Sequence, residues 1–550
     1  MTQHRSELLM PAGNLRKLKM AILYGADAVY LGTPDMSLRT KSQFSLEDVI
    51  EGVKFCHAHG KLAYLTLNLF SHNKDVPKLK EYIETVRTVK PDGLIIADPG
   101  VFQYVKTHAP ELPLHISTQS NVSSWLSVNF WHDLGAELVV MAREVSFSEL
   151  TEIREKCPDI KIEAFVHGAM CMTYSGRCLL SNFMAERGAN QGNCANSCRW
   201  NYKFKMRMKD GTHQELHITD DNYDMFEFLL EEGCRPGELL PIEEDDRGSY
   251  ILNSKDLCIM PKLDEYLRIG VDSLKVEGRG KSEYYCAVVA RAYRMAIDDY
   301  YADPEGWTPE AYMQELESVG NRGYTLAFHN GRLDNHAHNY EHTAAIAQWE
   351  YAGVVTGVTD DALLVDVKNK LEAGEVLEFI SPVTRAPVLL RLYDFEVAET
   401  GEKRDVIHGG TRTTIRIPFS LFDHEDPADI RARFPEFSVM RKERALTEDQ
   451  WARIKLDKLV QGIETSGKDN PKAYEKRRDA LVEAIGDGAE TRRHKTNRVG
   501  VDGCCGKGCN GCMMFWEDPI YAKAREMVQN RKQGEMLTRA EATEFKLPAQ

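Results

Sequence analysis

Four cysteines, Cys171, Cys178, Cys194 and Cys198, fall within 28 residues directly after a strand-like run that ends Phe-Val-His-Gly-Ala-Met. Thiolates at C-x6-C and C-x3-C spacing are soft ligands, suited to zinc or an iron–sulfur cluster rather than to calcium or magnesium. The C-x2-4-C knuckle of zinc ribbons fits Cys194 and Cys198 but not Cys171 and Cys178. On a straight helix the first pair would stand about 10.5 Å apart along the axis, too far for one centre. Ser175-Gly176 lets the chain fold back between them, because glycine adopts backbone angles that other residues avoid. Packing as buried apolar thiols is the bland alternative, and the surrounding Gly, Asn and Arg argue against it. A second group, Cys504, Cys505, Cys509 and Cys512, sits in a Gly-rich tail and suits a structural zinc or a second iron–sulfur site. Its C-x3-C-x2-C portion matches the spacing of radical-SAM enzymes. In that class the motif sits early in a barrel, whereas here only 38 residues follow Cys512.

The elements that position these groups are legible upstream. From residue 6 to 279, short β-rich runs alternate with helical segments, which calls for parallel strands joined by helical crossovers. Eight strands are predicted: 7–11, 28–33, 62–68, 93–98, 114–119, 138–143, 162–167 and 273–278. The boxes Ser45-x-x-Asp48 and Ser146-x-x-Glu149 start helices, and Gly60 and Gly135 end them. The reading is an α/β chain with a (β/α)8 TIM-like barrel over residues 1–340, a doubly wound open sheet being the alternative. The cysteines ride on an insertion of about 169–272 between the seventh and eighth strands. In a barrel the loops after the strands build the active site, and the strand ends here are polar: Asn68, Asp98, Gln119, Arg143, Glu144, Glu163, His167, Lys275, Glu277 and Arg279. Arg39, Arg143, Lys255 and Arg279 are candidates to clamp carboxylates, with pairing to Glu144, Glu163 or Glu277 the competing role. Asn68 and Gln119 join Arg39 as binding candidates, and His167 is a candidate proton relay.

After residue 340 the texture changes to short strands at hairpin spacing, predicting a small β-barrel domain over 341–445. A charged helical connector, 446–500, leads to the Cys-rich tail, 501–550. Hydrophobic residues make up 43% of the chain and charged residues 28%, near the averages for globular proteins. No apolar run approaches a membrane span and the N-terminus has no signal-peptide core, so the expected location is cytoplasmic, without a membrane partner. Thirteen cysteines without an export signal point to metal binding or reduced thiols rather than disulfides. A net charge of -15 disfavours indiscriminate nucleic-acid binding. A local stripe still fits RNA: Arg187, Arg199, Trp200, Tyr202, Lys203, Lys205 and Arg207 interleave aromatics with positive charge.

Glu7-Leu-Leu-Met-Pro-Ala-Gly13, Gly25-Ala-Asp-Ala-Val-Tyr-Leu-Gly32, the segment His167 to Cys178, the segment Asn190 to Trp200, Asn253-Ser-Lys-Asp-Leu257 and Leu274-Lys-Val-Glu-Gly-Arg279 together resemble the U32 peptidase family. The resemblance covers roughly residues 5 to 445, and is nearest to the family's tRNA-hydroxylating branch. It implies a 4Fe-4S cluster, formation of 5-hydroxyuridine at the tRNA wobble position, and prephenate as co-substrate. The candidates for catalysis, read from their charge and position, are His167, Glu163, Arg143, Arg279, Glu277 and Lys255. Cys171, Cys178 and Cys194 are the implied cluster ligands, with the fourth from Cys198 or Cys258. Other substrates within the same chemistry are a ubiquinone precursor or a ribosomal RNA cytidine. The family also carries a collagenase-like peptidase label. Hydrolysis needs a nucleophile with its base, a carboxylate dyad or a catalytic zinc. The nearest match, the inverted zinc motif His338-Asn-Tyr-Glu-His342, lies in a stretch poor in helix signals. About a hundred residues extend beyond the tRNA-modifying pattern, so the tail is expected to dock a protein partner or deliver electrons.

Overall fold

The computed structural model describes residues 5–32, 44–68, 71–170, 174, 254–330, 345–410, 413–422 and 426–466, and the backbone of six short strands between 206 and 250. Outside these residues lie Arg39, Cys171, Cys178, Cys194, Cys198, the tail cysteines Cys504, Cys505, Cys509 and Cys512, the His338–His342 motif, and the side chains of the aromatic and basic stripe.

Strands β1 (Glu7–Ala12), β2 (Ala28–Gly32), β3 (Leu62–Leu67), β4 (Gly93–Ile96), β5 (Leu114–Ile116), β6 (Leu138–Val140), β7 (Lys161–Ala169) and β8 (Ser273–Val276) pair in parallel and in chain order. β8 pairs with both β7 and β1, which closes the barrel. The eight strands coincide with the eight read from sequence, to within three residues at their ends. Helices α1 (Leu15–Leu23), α2 (Leu46–Ala58), α3 (Val76–Val89), α4 (Pro99–His108), α5 (Trp125–Asp133), α6 (Phe147–Lys156), α7 (Leu263–Ile269) and α8 (Glu283–Ala302) supply the outer ring. Both expected capping boxes form: Ser45 and Asp48 exchange side-chain and backbone bonds at the start of α2, as do Ser146 and Glu149 at α6. These bonds satisfy amides that a helix start otherwise leaves orphaned.

The apolar core lies between the strands and the helices, and α8 buries most of its length there. Inside the barrel Leu9, Ala28, Tyr30, Tyr64 and Ile95 form a separate small apolar cluster. Buried polar groups, among them Glu163, Ser273 and Lys275, share that interior. A short strand, Asp256–Cys258, runs antiparallel to β7 and carries Tyr324–Thr325 on its other edge.

The β domain is a curled antiparallel sheet of eight strands that runs from Val388–Arg391 at one end to Lys403–Arg404 at the other. It has its own core around Phe379, Phe395 and Phe434. Polar contacts fasten it to the helical ring. The Tyr24 hydroxyl lies 2.9 Å from the Ile380 carbonyl oxygen and accepts from the Val439 amide at 3.1 Å. Arg441 bonds Glu378 at 2.8 Å and Glu315 at 3.1 Å. The helix Glu448–Ser466, read from sequence as the start of a connector, returns to the barrel: Lys458 pairs with Glu317 at 2.7 Å and Asp457 with Lys255 at 3.0 Å.

The chain divides into two compact units, one of residues 1–197, 254–333 and 344–470, the other of 198–253, 334–343 and 471–550. In the second, the described backbone forms three short antiparallel pairs between Met206 and Tyr250. No described helix is long and apolar enough to cross a membrane.

Candidate active site in the barrel interior

Strand β8 presents Ser273 and Lys275 inward, because alternate residues of a strand share a face, and Glu277 and Arg279 follow at its C-terminal end. Ser273 faces Glu7 of β1 and Glu163 of β7 in the register Glu7, Ser273, Glu163. Lys275 Nζ stands 2.5 Å from Glu163 Oε1 and 4.5 Å from the centre of the Tyr30 ring. Glu163 is fully buried, and burial of a carboxylate is tolerated only with such partners. The structure places Glu163 lower in the barrel than a strand-end reading implies, beside Ser273 at the start of β8.

Closer to the strand ends, Arg143 Nη2 pairs with Glu277 Oε2 at 3.2 Å, while its guanidinium stacks over Phe165 at 3.9 Å. Arg279 Nη1 donates to Thr66 Oγ1 at 3.2 Å and lies 5.7 Å from the Tyr30 ring centre. Aromatic faces attract these cations and hold them without consuming their hydrogen-bond donors. The mouth thus brings together Arg143, Glu277 and Arg279, with Lys275 and Glu163 beneath. Asn68 Oδ1 and Gln119 Oε1 are buried and have no hydrogen-bond partner among the described residues. Buried acceptors of this kind are costly unless something donates to them.

Gly168 makes the join between β7 and β8 possible. Its φ is +115°, and a Cβ there would lie 2.5 Å from the Glu277 carbonyl oxygen. The Glu277 amide donates to the His167 carbonyl at 2.8 Å, so the two strand ends are tied beside the Arg143 pair.

Three candidates sit elsewhere. His167 packs its ring among Tyr285, Tyr293 and Tyr324, with Nδ1 3.4 Å from the Tyr293 hydroxyl. Burial pushes this imidazole down to about 3, so it is neutral at physiological pH and faces α8 rather than the mouth. Lys255 is 3% exposed and paired with Asp457. Cys258 is fully buried, its sulfur 3.8 Å from Met313 Sδ and 4.0 Å from the Tyr293 hydroxyl, and burial pushes the thiol up to about 12. Its surroundings in the core are Met313 and Tyr293. Among the described residues no cluster of three metal-binding side chains forms. The donor chemistry of the insertion fits a cluster, its first thiol, Cys171, following the last residue of β7 by two positions in sequence.

Tyr30, Thr66 and Ser273 complete this site and were not singled out from sequence. Each is the inward member of an alternating strand, a signal that becomes readable only once the barrel's register is known.

A closed parallel barrel with a charged, partly aromatic mouth and a cysteine-bearing insertion after its seventh strand defines an enzyme scaffold whose chemistry sits at the C-terminal face. The chain belongs to peptidase family U32, whose family model matches residues 13–339. It is 41% identical over 397 residues to the "tRNA hydroxylation protein P" of Escherichia coli (strain K12), covering 69% of this chain and 86% of that protein. It is 36% identical over 382 residues to "tRNA hydroxylation protein P1" of Bacillus subtilis (strain 168), covering 69% and 84%. A 23S rRNA 5-hydroxycytidine synthase of Escherichia coli (strain K12) is 28% identical over 451 residues, covering 80% and 60%.

Proposed function

We propose that this chain is a tRNA hydroxylase that forms 5-hydroxyuridine at the wobble position, with prephenate as co-substrate and a 4Fe-4S cluster held by Cys171, Cys178, Cys194 and Cys198. The observation that carries the reading is the mouth itself: Arg143 with Glu277, and Arg279 on Thr66, stand at the strand ends of a barrel whose relatives are named for tRNA hydroxylation. When bound, the cluster supplies electron transfer or Lewis-acid assistance.

The chain's own residues do the binding and orienting. Arg143 and Arg279 receive the two carboxylates of the small donor, and guanidinium forks match carboxylates bidentately. Glu277 and Phe165 fix the Arg143 fork, and Thr66 fixes Arg279. Asn68 and Gln119 accept hydrogen bonds from substrate O–H or N–H groups. Cys198, rather than Cys258, completes the cluster ligands, because the Cys258 sulfur is fully buried against Met313 and Tyr293. The basic and aromatic stripe from Arg187 to Arg207 contacts the tRNA. The tail cysteines hold zinc or a second cluster and dock a partner or deliver electrons.

Nucleoside mass spectrometry of tRNA from a deletion strain tests the reading. Loss of wobble 5-hydroxyuridine derivatives, restored by the wild-type chain and not by Arg143→Met, is the expected result. Intact tRNA with a missing ribosomal hydroxycytidine would move the substrate while keeping the chemistry. Intact RNA with lost cleavage of a protein would restore the peptidase reading.

A further inference from the structure

We propose that Glu7 is the proton-exchange residue for the Glu163–Lys275 pair, linked to it by the Ser273 hydroxyl and to solvent by a cleft at the N-terminal end of the barrel. Ser273 Oγ lies 2.9 Å from Glu7 Oε1 and 3.1 Å from Glu163 Oε2. A hydroxyl carries one hydrogen and so donates to one carboxylate only. The second contact becomes a hydrogen bond when a carboxyl proton points back at Oγ. Two carboxyl groups bridged this way hold a proton between them.

Glu7 is the group that keeps it. Burial above all, with the charges of Glu163 and Asp27, pushes Glu7 up to about 7, against the lowering effect of bonds from Tyr64 and Ser273. Glu163 is meanwhile engaged with Lys275 at 2.5 Å. The groups facing Glu7 are Tyr64 of β3, which donates to Oε2 at 2.7 Å, Ser273 of β8, Glu163 of β7, and Asp27 just before β2. On its outer side Glu7 lines a polar cleft with Arg5, Asp27, Lys61, Arg294 and Asp298. The charges there match one another: Arg5 and Arg294 pair with Asp298, and Lys61 and Arg294 pair with Asp27. With its charges so matched, the cleft serves as an entrance for water rather than as a ligand site.

The transfer balances without any further reactant. The Glu7 O–H bond breaks as a bond to Ser273 Oγ forms, and the original Ser273 hydrogen passes to Glu163 Oε2. Glu7 then takes a new proton from the cleft. When Lys275 gives a proton to the mouth, the hydrogen now on Glu163 passes to Lys275 Nζ, 2.5 Å away, and the pair returns to carboxylate and ammonium. Phe165 connects the two levels, its ring centre 5.7 Å from Lys275 Nζ and 3.9 Å from Arg143 Cζ. Protons thus reach the reacting face from the opposite end of the barrel. The existence of the shared proton is independent of the hydroxylase reading, and only its use at the mouth rests on that reading.

Infrared spectroscopy of the purified full chain tests the sharing directly. A protonated-carboxyl C=O band that titrates near neutral pH is expected in the wild type and should vanish in Glu7→Gln. Tyr64→Phe removes a bond that lowers the Glu7 midpoint, so the band should titrate at higher pH; this variant serves if Glu7→Gln fails to fold. Absence of such a band in the wild type, or its persistence unchanged in Glu7→Gln, overturns the proposal. In a hydroxylation assay Ser273→Ala should lower kcat roughly tenfold or more with KM unchanged, and Ser273→Thr, which keeps the hydroxyl, should restore it. Normal kcat in Ser273→Ala overturns the route through Ser273. A chain with the expected band and no hydroxylase activity would refute the assigned reaction and leave the shared proton standing.

Discussion

Asp457 Oδ1 stands 3.0 Å from Lys255 Nζ, so the helix Glu448–Ser466 closes onto the strand that borders β7. Gly323 makes room for it: with φ +82°, a Cβ there would lie 2.8 Å from the Asp457 carboxylate. A lysine 3% exposed depends on such a partner, because an unpaired buried charge is strongly destabilising. Asp457→Asn should therefore cost about 3 kcal/mol, read as a lowered urea midpoint with unchanged slope. The double variant Lys255→Met/Asp457→Leu should recover most of that loss. If instead Lys255→Met alone abolishes substrate binding at unchanged stability, Lys255 belongs to the site after all.

Arg143 and Arg279 should behave differently from Lys255. A hydrogen bond to a charged group is worth about 1.5–3 kcal/mol, so Arg143→Met or Arg279→Met should reduce kcat/KM for the co-substrate by roughly 10- to 100-fold. The visible spectrum of the proposed cluster should be unchanged. Arg143→Lys should recover little, because an ammonium cannot reproduce the planar stack on Phe165 together with the Glu277 bond. Wild-type kinetics in both Met variants would remove the carboxylate clamp.

The barrel was legible because local signals agreed with one another: eight apolar runs, two capping boxes and helix-ending glycines all demand parallel strands with helical crossovers. The position of Glu163 was not. A strand's last polar residues look alike in one dimension, and only the pairing of Glu163 with Ser273 shows that it belongs to the lower interior. His167 misleads for a related reason. It follows Phe165 by two residues, yet the register shifts between Lys275 and Val276, and its ring turns to the tyrosines of α8. Lys255 was beyond reach, since its partner lies on a helix whose charged pattern reads as solvated. The alternation Ser273, Lys275, Glu277 along β8 was the one strand-level clue to the polar interior, visible in sequence but equally compatible with an exposed edge.

Buried histidines should dominate the acid response. Burial pushes His115, His167 and His329 each down to about 3 from 6.5. Below pH 6.5 the unfolded chain binds protons that the folded chain refuses, so stability falls as pH drops from about 6.5 toward about 3. Each such group contributes a slope of up to about 1.4 kcal/mol per pH unit. Glu7 acts in the opposite sense: raised to about 7, it binds its proton in the folded state across the range in which the unfolded carboxyl has lost it. Stability measured by urea unfolding should therefore decline between pH 6 and pH 4, and Glu7→Gln should steepen the decline. A flat profile over that interval would mean that these imidazoles take up protons in the folded state.

The cysteines separate by environment. Cys258, fully buried between Met313 and Tyr293, should be dispensable for the metal site. Cys258→Ala should leave the iron content and visible absorption of anaerobically purified protein unchanged, while the cavity left by a small buried side chain costs about 1 kcal/mol. Cys171→Ala, Cys178→Ala, Cys194→Ala and Cys198→Ala should each bleach the main site, because each removes one of four thiolates from a four-iron cluster. Truncation after residue 495 should lower the total metal content and spare that absorption, since the tail thiols can wrap a metal of their own. Bleaching by Cys258→Ala, with Cys198→Ala still coloured, would reverse the ligand assignment and require the Cys258 thiol to leave its packed position when the cluster binds. Zinc alone in the purified protein would remove the cluster chemistry altogether.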